Sequence, residues 1–125
     1  MSKWDNLNKV RIHNRNETTK HFLIKALSTK LLFGAGYEVY TEDENNFNYN
    51  TTKSYRVSDV KAMKSRGYKK GYEHIVIEIE TSPTNKHIND LKEFYKDKNL
   101  YIIKAKEISD NITEMEKQIK HILGI

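Results

Sequence analysis

The stretch His74 to Thr81 constrains this chain more than any other. Ile75, Ile77 and Ile79 alternate there with Val76, Glu78 and Glu80. A period of two puts the three isoleucines on one face of a β-strand and both glutamates on the other. Ser82 and Pro83 close the strand: serine followed by proline reads as a helix cap with proline at the first helical position. Ile88, Leu91, Phe94 and Tyr95 then continue as a helix.

The remaining elements follow from the same two periods. Residues 1–16 read as a polar arm with Trp4, Leu7, Val10 and Ile12 as anchors. From Glu17 to Phe33, Phe22, Leu23, Ala26, Leu27, Leu31 and Leu32 recur at three and four, the pattern of a helix with one buried face. Gly34 and Gly36 stop it. A first strand is expected through Tyr37 and Val39 to Glu42, an asparagine-rich loop over 43–52, and a second strand over 54–63. Lys64 to Gly71 form a basic turn. Leu100 to Lys104 read as a fourth strand, and a last helix opens at Asn111 with Glu114 three residues on, a capping-box arrangement. The order predicts one α/β domain over 17–125. The first three strands are antiparallel neighbours and the fourth is parallel after a crossover helix, giving a central mixed four-stranded sheet flanked by helices.

A chain of 125 residues has room for one core. It contains no cysteine, which excludes disulfides and thiolate zinc sites. No apolar run reaches membrane-spanning length, so a cytoplasmic location is the expectation. The 22 Lys and Arg against 17 Asp and Glu leave a net charge of +5, which suits contact with a polyanion and also simply favours solubility.

Glu78 and Glu80 share a face of a strand whose other face is isoleucine. A solvent-exposed outer face accounts for them unless other acids join them. Asp59 is such an acid, because a hairpin centred on the basic turn brings the second strand alongside the third. Acids that converge repel one another until a cation or a shared proton neutralises them. A hard divalent ion, Mg²⁺ or Mn²⁺, accepts carboxylates together with a backbone carbonyl such as that of Ile79. It can polarise a phosphodiester and activate water. The positive group that such chemistry also requires is expected from Lys61, two residues from Asp59, or from Lys86 after Pro83; each otherwise reads as a solvated lysine.

Val57-Ser58-Asp59-Val60, followed after a hairpin by Ile77-Glu78-Ile79-Glu80-Thr81-Ser82, resembles the core of the PD-(D/E)XK, restriction-endonuclease-like superfamily. The order of helix, three strands, crossover helix and fourth strand agrees, so the resemblance covers about residues 17 to 105. It implies a metal-dependent endonuclease acting on DNA, with Asp59 and Glu78 binding Mg²⁺ and Glu17 as the further acid of the first helix. Two positions depart from the pattern. Ser58 stands where the family has proline, and Glu80 stands at the lysine position, so Lys86 is the expected replacement. A two-fold DNA substrate would call for a homodimer.

Lys64, Arg66, Lys69 and Lys70 are expected to hold a phosphate chain beside the metal, with Asn85 and His87 at a helix start as further phosphate contacts. Tyr68 and Tyr72 could stack on bases, and His21 could face the same cleft. The alternatives are a nucleic-acid-binding module of the same fold that does not cut, to which Glu80 points, and an assembly or regulatory protein.

Overall fold

The computed structural model describes residues 6–46 and 55–125. Helix α1 spans Thr19–Gly34, strand β1 Glu38–Asn46, β2 Tyr55–Ser65 and β3 Tyr72–Glu80. Helix α2 spans Asn85–Phe94, β4 Asn99–Lys104, and α3 Ile112–Leu123 after a short 3₁₀ turn. The sheet runs β1-β2-β3-β4, antiparallel except for the parallel β3–β4 pair. The mixed four-stranded sheet with helices on both faces agrees with the order read from sequence. The Trp4 anchor and most of the asparagine-rich loop lie outside the described residues.

One face of the sheet carries Val39, Val60, Ala62, Ile75, Ile77, Ile79 and Ile103 against Ile24 and Leu32 of α1 and Met115, Ile119 and Leu123 of α3. The other face is smaller: Val76 packs with Leu91 and Tyr95 of the α2 segment. Burying isoleucine-sized side chains contributes roughly 1.5–3 kcal/mol each, so the α1–α3 face dominates the stability. At least among the described residues, no helix is long and apolar enough to cross a membrane.

Several elements differ in detail from expectation. The N-cap of α2 is Thr84, whose hydroxyl accepts from the His87 amide, so the helix starts two residues beyond Pro83. Asn111 does cap α3, accepting from the Glu114 amide at 3.1 Å. In α1 the fully buried stripe is Ile24, Lys25, Ser28, Thr29 and Leu32, while Leu23, Leu27 and Leu31 are only partly buried. Polar groups can occupy that stripe because Ser28 and Thr29 donate to the carbonyls of Ile24 and Lys25, one turn back. The polar arm runs along β1: the Asn8 amide donates to the Val39 carbonyl, Asn8 Oδ1 accepts from the Val39 amide, and the Arg11 amide donates to Thr41 Oγ1. It covers a sheet edge that would otherwise present open backbone groups.

Candidate functional site

The site is built at the end of the sheet where α1 begins. Thr18 caps α1 by accepting from the His21 amide, which leaves Glu17 just ahead of the helix. Residues 17, 21 and 25 are spaced at four, so their side chains line one side of the first turns. Glu17 Oε2 lies 2.6 Å from His21 Nδ1 and accepts from Lys25 Nζ at 2.8 Å. His21 Nε2 in turn lies 3.4 Å from Asp59 Oδ1. Asp59 Oδ2 accepts from the Ile79 amide at 2.7 Å, taking a donor just past the last paired residues of β2 and β3, Val60 and Ile77. The chain of contacts therefore runs from α1 through one imidazole to β2 and then to the backbone between Glu78 and Glu80.

This network is buried. The side chains of Glu17 and Lys25 are 2% and 0% exposed, and that of Asp59 is 13% exposed. Burial pushes the Glu17 carboxyl up, but hydrogen bonds from Lys25 and the His13 amide outweigh it and hold the group below the usual range. His21 is raised by its hydrogen bond to Asp59, against the opposing effect of burial, with Glu17 adding to the rise. Both ring nitrogens face carboxylate oxygen, which suits the doubly protonated ring. A small cavity of about 210 Å³ opens onto this network, lined by His13, Asn16, Glu17, His21 and Thr81 among others.

Register carries Asp59 level with Glu78, as the hairpin argument expects, since Val60 pairs with Ile77. Their carboxylates are nevertheless held from opposite sides of the sheet. Asp59 is engaged by His21 of α1, while Glu78, 5% exposed, accepts from the Tyr95 hydroxyl at 3.1 Å beneath α2. The outer face of β3 is thus covered by α2 rather than by solvent. Glu80 Oε1 lies 2.7 Å from His87 Nε2, so the His87 ring meets an acid rather than a phosphate. Among the described residues, no three His, Asp or Glu side chains stand as a preformed metal-holding group.

The expected cations are distributed differently. Lys61 is nearly buried and pairs with Asp43 at 3.4 Å, and Lys86 is exposed on α2. The ammonium that reaches the acids is that of Lys25, which sequence reasoning missed; its spacing of four from His21 and eight from Glu17 was the available signal. The basic turn lies at the far end of the sheet. Ser65 and Tyr72 close the hairpin, six residues along β2 from Asp59 and so about 20 Å away. Lys64 is occupied there with the Ala35 carbonyl at 3.1 Å, and Arg66, Lys69 and Lys70 are exposed. They are not beside the acids.

A different basic surface lies nearer. Between α2 and β4 a groove of about 490 Å³ is lined by Asn85, Asn89, Lys92, Lys104 and neighbouring isoleucines. Lys104 pairs in register with Glu80, which joins this groove to the acidic end of the sheet.

No family model matches this sequence, and neither curated proteins nor solved structures give a significant match.

Proposed function

We propose that this chain is a divalent-metal-dependent nuclease of restriction-endonuclease-like fold that hydrolyses phosphodiester bonds in DNA. One observation carries the reading: Glu17 and Asp59, acids from separate elements, meet through His21 at the sheet end, and Asp59 is bonded to the backbone of Glu78-Ile79-Glu80. Oxygen donors of this kind suit Mg²⁺ or Mn²⁺. Glu17 and Asp59 would hold the ion, with Glu78, Glu80 and the Ile79 carbonyl supplied by the adjacent segment. When bound, the ion polarises a phosphoryl oxygen and lowers the pKa of water.

The protein's own groups prepare that chemistry. His21 and Lys25 neutralise the acids in the metal-free state, so like charges can be kept together in a largely dry place. Lys25 takes the part that Lys61 and Lys86 were expected to play, as the buried ammonium nearest the acids, suited to stabilising negative charge developing on phosphorus. The α2–β4 groove, lysine-lined and contiguous with Glu80, supports a polyanionic substrate.

The test is cleavage of end-labelled single-stranded, duplex, flapped and four-way-junction DNA in Mg²⁺ or Mn²⁺, beside Asp59→Asn and Glu17→Gln. Wild type is expected to cut at least one substrate. Each variant should be slower by at least about a hundredfold, the scale of losing one group that stabilises transition-state charge. A second reading, a binding module that does not cut, is favoured by the protein partners that Glu78 and Glu80 already have. Intact DNA that still shifts on a gel, with no dependence on metal, would establish that reading instead.

A further inference from the structure

Strand β1 delivers a carboxylate where alternation does not put one. A regular strand would turn Glu42 to the same face as Tyr40, the partner of Lys61. Instead Glu42 has a φ of +50°, in the left-handed region that side chains other than glycine rarely adopt. Its carboxylate meets the α1-side network: Oε1 lies 2.5 Å from His13 Nδ1 and 3.9 Å from Lys25 Nζ. The side chain is 7% exposed, and Oε2 has no hydrogen-bond partner. A strained backbone and an unsatisfied buried oxygen therefore coincide at one residue, and both are unfavourable for folding. Strain that persists in this way clusters at functional sites.

The direction of that oxygen supplies the second half of the argument. Lys25 Nζ stands between Glu17, at 2.8 Å, and Glu42, at 3.9 Å. The Glu42 carboxylate is also near enough to Asp59 for the two charges to oppose each other. An acid that serves only the fold gains nothing by turning toward two others. A hard cation binding among them would satisfy Oε2 and remove the repulsion together.

We propose that Glu42 is a ligand of the divalent metal ion, completing with Glu17 and Asp59 a three-carboxylate set drawn from β1, the start of α1 and β2. The proposal rests on the metal-dependent reading above and adds to it a residue outside the motif segments. The set is closed in the metal-free protein because His21 and Lys25 occupy the space between the acids.

The experiment is calorimetric titration of the full chain with Mn²⁺, for wild type, Glu42→Gln and Asp59→Asn, together with melting curves of each in chelator and in saturating Mn²⁺. Glu42→Gln is expected to weaken Mn²⁺ binding by at least about tenfold, more than the smallest losses typical of outer-shell partners. It should also melt above wild type in chelator, because an unfavourable buried charge is gone, and below wild type in Mn²⁺; a purely structural role would not reverse that order. Mn²⁺ binding by Glu42→Gln as tight as wild type, with binding lost in Asp59→Asn, would overturn the assignment of Glu42 and leave the metal site standing. Absence of Mn²⁺ binding in wild type would overturn the metal-dependent reading itself, and this proposal with it. If Glu42→Gln does not fold, Glu42→Asp keeps the charge but withdraws it by one methylene; it must then bind Mn²⁺ more weakly, and unchanged affinity would refute the proposal.

Discussion

The two ends of the β2–β3 hairpin carry opposite kinds of charge. At the turn, Arg66, Lys69 and Lys70 are exposed, and the Tyr68 ring is 87% exposed with Lys69 Nζ above it. At the other end Glu17, Glu42, Asp59, His21 and Lys25 alternate in sign within a largely buried cluster. Water screens the first group, so each cation there is nearly independent of its neighbours. In the second group each charge is desolvated and depends on its partner. Number of charges is thus a poor guide to where function lies. What separates the ends is how far each charge is committed to another.

The sharpest way to break that contrast is to remove the fully buried cation. Lys25→Met keeps most of the side-chain volume but leaves Glu17 and Glu42 without their shared ammonium. It is expected to destabilise the fold by about 3–5 kcal/mol, as breaking a buried pair does, measured by urea unfolding near neutral pH. A loss below about 1 kcal/mol, typical of an exposed pair, would mean that the two ends are energetically alike.

A smaller effect should depend on pH. Because Asp59 and Glu17 raise the pKa of His21 above its ordinary 6.5, the protonated ring favours the folded state. Its contribution is complete below that value and is lost as pH rises through the elevated value of the folded protein. Relative to His21→Gln, wild type should therefore gain most at mildly acidic pH, by about 1.5–3 kcal/mol, the range for hydrogen bonds to charged groups. The advantage should narrow in alkali. A difference independent of pH, in paired unfolding curves, would assign His21 a packing role only.

The smallest effect on stability is expected at the turn. Lys69→Glu with Lys70→Glu should change unfolding free energy by no more than about 0.5 kcal/mol. The same pair of reversals should also weaken DNA binding less than Lys92→Glu with Lys104→Glu in the α2–β4 groove, which lies toward the acids. Salt titrations of affinity compare the two surfaces directly, since each lost phosphate contact lowers the slope by about one. A larger loss from the turn would move the substrate path to the far end of the sheet.

The order of elements was legible in the sequence because it depends on local period. Isoleucines at every second position specify β3, and the short basic turn sets its register with β2, which is how Asp59 came level with Glu78. Asn111 and Glu114 marked the start of α3 for the same local reason. Glu17 and Asp59 were also found, from their places in that order. Tertiary structure alone decided which groups they meet. Lys25 reads as a solvated lysine until α1 lies against the sheet and Glu17 returns over it. Glu42 faces its neighbours only through a backbone torsion that no residue pattern encodes. Glu78 belongs to Tyr95 because α2 crosses back over that face. Period determines which face a side chain leaves from; its partner, and hence its charge state and chemistry, is determined by which distant segment packs there.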